Sequence, residues 1–246
     1  MNRAKFFAAV REPLFDGTLS TTQVSGTEAI LTEAGRRGTL RKHLAYMLAT
    51  TYHETAATMQ PIKERGGAAY LKKMYDINGA RPAKARELGN TSPGDGVRYC
   101  GRGDVQLTGR RNYERAGKKI GVDLVSNPDL AMVPENAAKI MFDGMAEGWF
   151  TGRKLSDYLS DAKSDYVNAR RIINGTDDAN QIAGYAVRFE AALRAAGYAE
   201  VASKDADTVD PVNPSKLDKP AAPVAKKSFW ASLAEILAAF LKGGKK

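Results

Sequence analysis

The chain has 246 residues, 43% hydrophobic and 26% charged, which suffices for one good core and a small appendage. Its net charge of +9 points to an anionic partner: nucleic acid, phospholipid or an acidic wall polymer. Two histidines and one cysteine are too few for a closed zinc site and exclude an internal disulfide, so Cys100 is expected to be a partly buried structural thiol.

The start, MNRAKFFAAVREPLF, is basic, but Arg11, Glu12 and Pro13 interrupt its apolar run, so a secretory signal is not expected. No stretch approaches the roughly 18 apolar residues of a membrane span. Residues 1–199 read as one helical domain. In LRKHLAYMLATTYHE, the residues Leu40, Leu44, Met47, Leu48 and Thr51 share one helical face, and Glu54 continues it. His53 and Glu54 open like the zinc-protease pattern H-E-x-x-H, but Ala57 stands where the second histidine belongs.

A second glutamate, Glu64, follows Pro61. A continuous helix would set the two carboxyls about 15 Å apart, but Pro61 disfavours it. The chain is expected to leave the helix after Glu54 and fold back, so that the pair face each other across a groove. Burial of Glu54 would favour a protonated acid, and Lys63 and Arg65 would keep Glu64 ionised. The other reading of the same spacing is a partly buried structural carboxyl and one member of a solvated charge run.

From about Gly66 to Tyr99 periodicity is weak, and NGARP and GNTSPGDG are turn material, as expected of a long functional loop. YCGRGDVQLTGRRNY, residues 99–113, holds at most a very short strand. Gly101 and Gly103 permit close backbone approach, while Gln106, Thr108 and Asn112 offer hydrogen bonds suited to sugar hydroxyls, amides or water. Neither phosphate-loop pattern is present, and no nucleic-acid motif supports the charge, so nucleic acid is not an expected partner.

Helices are predicted at PENAAKIMFDGMAEGWF, with Pro134 in its first turn, at SDYVNARRIING, and at IAGYAVRFEAALRAAG ending at Gly197. Residues 200–225 are rich in Pro, Asp and Ala and read as a flexible linker. Residues 226–246, KKSFWASLAEILAAFLKGGKK, form a basic amphipathic helix when written at helical spacing. Phe229, Trp230, Leu233, Leu237 and Phe240 fall on one side, an expected contact with anionic membrane or lipopolysaccharide. A helix docked on the domain, or an oligomer contact, fits the same pattern.

HETAATMQPIKE and GRGDVQLTGRRNY, followed by RRIING at 170–175, resemble the pattern of glycoside hydrolase family 19, which includes chitinases and bacteriophage endolysins. The likeness covers roughly residues 5–198 and is nearest the endolysin branch. It implies a mainly α, lysozyme-like domain with a central cleft, acting as a monomer without metal or organic cofactor. It also implies Glu54 as general acid, Glu64 as general base and Thr108 as a holder of the attacking water. Gln106, Asn112, Tyr113 and Asn174 match substrate-cleft positions; His53 reads as structural or supporting. Plant-type chitinase disulfides cannot form here, and no cleft arginine near the last helix is assigned from the sequence, which favours peptidoglycan over chitin. The implied role is host-cell lysis by a protein made in the host cytoplasm and released through a separate membrane-perforating protein.

Overall fold

Asn2 starts the first helix by accepting a hydrogen bond from the Lys5 N–H at 3.0 Å, as an N-cap should. The computed structural model describes residues 1–199; the linker and the C-terminal segment with Phe229, Trp230, Leu233, Leu237 and Phe240 lie outside the described residues. Helix α1 (Arg3–Phe15) is followed by α2 (Thr21–Arg37), whose start is a capping box between Ser20 and Gln23. Gly38, at φ +61°, ends α2 in the left-handed conformation that glycine adopts without strain.

Helix α3 (Arg41–Glu54) runs through the centre. It is not one-sided as its spacing suggests, because every residue from Leu44 to Tyr52 is buried. A helix apolar all round needs neighbours all round. Those described include α10 (Ala179–Ala195), which packs along α3 and against α1. Tyr52 meets Tyr185 edge-on at 4.7 Å and Phe15 at 5.3 Å, while Phe6 stacks on Phe189 at 6.5 Å. Helix α10 ends as predicted: Gly197 is left-handed, and the Tyr198 N–H reaches back to the Leu193 carbonyl at 2.9 Å.

After Glu54 the chain turns sharply. Pro61 lies too far on to stop α3; Ala56, Ala57 and Met59 instead take left-handed conformations that cost non-glycine residues energy. Helix α2 holds this turn, since Gln23 Nε2 donates to the Ala57 carbonyl at 3.0 Å. The approach is so close that a Cβ on Gly26 would fall 1.7 Å from the Met59 oxygen.

The turn leads into β1 (Ile62–Lys63), antiparallel to β2 (Arg102–Gly103), with Ile62 opposite Gly103. Between the strands lie α4 (Gly67–Tyr75), α5 (Pro82–Glu87) and α6 (Asp95–Arg98). The expected long loop is thus a set of short helices, too brief to leave a periodic signal. They have their own small core of Leu71, Met74, Tyr75 and Cys100, separate from the main one. Buried Asp76 ties it together by accepting from the N–H groups of Gly94 (2.7 Å), Asn78 (3.2 Å) and Gly96 (3.3 Å). Cys100 is fully buried, more so than expected, and burial pushes its thiol up.

Helices α7 (Arg110–Ile120), α8 (Pro134–Glu147) and the short α9 (Tyr166–Ala169) complete the domain. Pro134 occupies the first turn of α8, and Ala138, Met141, Phe142 and Met145 are buried, as predicted. The predicted helix at residues 164–175 is only α9 and a following tight turn, Arg170–Ile172.

Candidate active site

Glu54 is the last residue of α3, and its carboxylate receives a hydrogen bond from Arg170 Nη1 at 2.7 Å. The Arg170 side chain is 1% exposed and also donates through Nε to the Asp177 carbonyl at 3.1 Å. A buried charge of this kind is tolerated only when paired and hydrogen-bonded. The sequence reading placed Glu54 on an apolar face and assigned it no partner; the structure corrects that with an ion pair. His53 is half-buried, with Nε2 3.5 Å from Asp178, in keeping with a structural role.

Glu64 lies beside β1 and is buried. Its N–H donates to the Gly101 carbonyl at 2.8 Å, and the Gly101 N–H donates back to Oε2 at 3.0 Å. The Tyr75 hydroxyl donates to Oε1 at 2.9 Å. Burial raises the Glu64 pKa, against the lowering effect of those two hydrogen bonds. The expected stabilisation by Lys63 and Arg65 is corrected here: Glu64 is buried while both basic neighbours are exposed, and its shift comes from burial, Gly101 and Tyr75.

Gly101 is fixed by this arrangement. A Cβ there would lie 2.8 Å from Gln106 Oε1 and 3.1 Å from Glu64 Oε2. Gln106, held at φ +53°, donates through Nε2 to the carbonyls of Ile62 (3.0 Å) and Gly103 (3.2 Å), bracing the strand pair. Thr108 Oγ1 donates to the Gln106 carbonyl at 2.8 Å, so its hydroxyl proton is engaged and its free lone pair can only accept. Asn112 Nδ2 donates to the Thr108 carbonyl at 2.7 Å.

Glu64, Gln106, Thr108 and Asn112 are thereby brought into one connected wall. Tyr113 is not presented to a cleft. It is fully buried, donating to the Cys100 carbonyl at 2.7 Å and accepting from Arg102 at 3.0 Å, so it supports the wall from behind. Asn174 makes no hydrogen bond to that wall; it follows Arg170 by four residues, is half-buried, and its side chain accepts from the Gly175 N–H. Arg170 and Tyr75 are the positions that sequence reasoning missed. RRIING contains Arg170, but nothing local separates it from its exposed neighbour Arg171.

Asp104, beside β2, is buried with no hydrogen bond to Oδ1, and burial alone pushes its pKa up to about 7. It is a second carboxyl titrating above the usual range. Tyr75→Phe removes a donor that favours ionised Glu64, so the acid limb of kcat/KM should move to higher pH. The profile is to be measured in an Asp104→Asn background, which removes the neighbouring titration; an unmoved or lowered limb would count against Glu64 as the base.

Residues 20–193 match the family model described as chitinase class I, and the chain belongs to glycoside hydrolase family 19. It is 32% identical over 152 residues to the acidic endochitinase of Petunia hybrida, covering 60% of this chain and 49% of that protein. With the acidic endochitinase Q of Nicotiana tabacum it shares 38% identity over 91 residues, covering 37% and 33% respectively. The chain thus spans half or less of the length of these relatives. The fold is similar to that of chitinase C from Streptomyces griseus HUT6037, with a TM-score of 0.51 and 21% identity over 80% of this chain and 76% of that one.

Proposed function

We propose that the chain hydrolyses the β-1,4 glycosidic bonds of peptidoglycan with inversion, Glu54 acting as general acid and Glu64 as general base. The observation that carries this reading is the contrast between the two carboxyls' surroundings. Arg170 pairs with the Glu54 carboxylate in the free chain, and pairs with it again once the proton that Glu54 takes up before the step has passed to the leaving oxygen. Burial of Glu64 favours the neutral acid it becomes on taking a proton, which makes it a stronger base. A water that gives one proton towards Glu64 and the other to the accepting Thr108 Oγ1 keeps a lone pair for the sugar carbon. No covalent sugar–enzyme intermediate is needed.

The net charge of +9 supports an acidic wall polymer, whereas chitin is uncharged. Chitin is the second reading, supported by the names of the relatives. Release of sugars from purified sacculi, set against colloidal chitin, tests the choice; cleavage of chitin alone would overturn peptidoglycan. Inversion has its own test, since early products of a β linkage should be the α anomer by proton NMR. An initial β product would remove the roles given to Glu64 and Thr108.

The proposed setting is host-cell lysis by an endolysin that reaches the wall through a separate membrane-perforating protein. Phe229, Trp230, Leu233, Leu237 and Phe240, flanked by lysines, are proposed to contact anionic membrane or lipopolysaccharide. Deleting residues 226–246 should spare hydrolysis of purified sacculi and abolish binding to anionic vesicles. Vesicle binding that survives the deletion would sink the membrane role.

A further inference from the structure

A pocket of about 760 Å³, within the size range of ligand sites, opens beside the segment that leads into Gly101. Its wall includes Asp95, Arg98, Tyr99, Arg110, Val125 and Ser126. Two guanidinium groups lie against one buried aromatic ring, Arg98 at 5.7 Å and Arg110 at 5.5 Å from the Tyr99 centroid. Arg98 is further anchored because Nη2 donates to the carbonyls of Val125 (3.1 Å) and Ser126 (2.8 Å).

These cations are held in place but incompletely used. Among the described residues no carboxylate pairs with Arg98, and its Nε and Nη1 make no hydrogen bond. Asp123 is close enough to feel its charge, but that carboxylate is engaged by the Ser126 N–H. Arg110 has only a long contact, 3.4 Å, to Asp95, whose other oxygen accepts from the N–H groups of Thr91 and Ser92. Planar forks with spare donors, fixed in one place, match a carboxylate.

The pocket is also near the chemistry. Tyr99 is two residues from Gly101, which holds Glu64, and Arg110 is two residues from Thr108. Two residues span at most about 7 Å, and an extended peptide branch covers about 3.3–3.6 Å per residue. A branch of about two or three residues on a sugar bound beside Glu64 therefore has the length needed to meet the arginines.

We propose that this pocket is a subsite for a carboxylate of the peptide branch carried by peptidoglycan, an assignment that rests on the peptidoglycan reading above. It would distinguish peptide-bearing strands from bare glycan. The probe is a soluble N-acetylglucosaminyl-N-acetylmuramyl tetrapeptide, titrated into the isotopically labelled full chain beside the same compound with its carboxylates amidated. The Nε–Hε resonances of Arg98 and Arg110 should shift with the first and not the second. Arg98→Gln should weaken binding of the acidic form by about tenfold, and Arg98→Lys by less, with hydrolysis of peptide-free glycan strands unchanged. The wild-type titration stands whether or not a variant folds. Equal shifts with the amidated compound, or silent arginines while sacculi are cut, overturn the pocket and spare the reading; uncut sacculi overturn both.

Discussion

Replacing Glu54 by glutamine is expected to lower turnover by at least about 10², because proton transfer by a positioned acid typically contributes about 10²–10⁴. Glutamine keeps the shape and can still accept from Arg170 Nη1, so the fold and substrate binding should survive. Glu64→Gln should fall as far, since an amide cannot take the proton of the water. It also retains an oxygen for Tyr75 or Gly101, which limits structural damage. Initial rates on sacculi, beside circular dichroism and cosedimentation, separate chemistry from folding. A well-folded variant with more than about half of wild-type activity would strip that glutamate of its role.

Arg170→Met should be the most destabilising single change at the site, by about 3–5 kcal/mol, because removing one partner of a buried pair strands the other charge. Arg170 and Glu54 are 1% and 8% exposed, so solvent screens little of the loss. Adding Glu54→Gln to Arg170→Met should restore part of the stability, since the stranded charge is then gone. Denaturant unfolding of the two single variants and the double variant measures the coupling. Additive losses would mean that Arg170 acts through packing and the Asp177 carbonyl rather than through Glu54.

What was readable in the sequence was local. The start of α8 at Pro134 and the stop of α10 at Gly197 rest on neighbouring residues and are found where expected; the chain also leaves α3 after Glu54, although Ala56, Ala57 and Met59 make that turn and Pro61 does not. Helices α1 and α2 went unassigned although Asn2 and the Ser20–Gln23 capping box mark their starts. The partners of Glu54 and Glu64 are another matter. Arg170 lies 116 residues from Glu54, and in its own segment it looks like any solvated basic residue. Tyr75 reads as one aromatic in a weakly patterned stretch until β1 and β2 pair and bring Gly101 and Glu64 beside it. The surroundings of Glu64 differ from the expectation for the same reason: the linear neighbours Lys63 and Arg65 count for less than the distant partners Tyr75 and Gly101.

Glu54 closes the helix at the centre of the large core, whereas Glu64 is held by Tyr75 and the segment that carries Cys100, both from the small one. The two carboxyls are therefore positioned separately, one by the interior of the molecule and the other by a compact accessory unit. Substitutions at Leu71 or Met74 should shift Glu64 through Tyr75 with little effect on Glu54. The setting of Glu64 can then be tuned through a few apolar residues of the small core, with Glu54 left where it is. For engineering, the small core is the adjustable jaw.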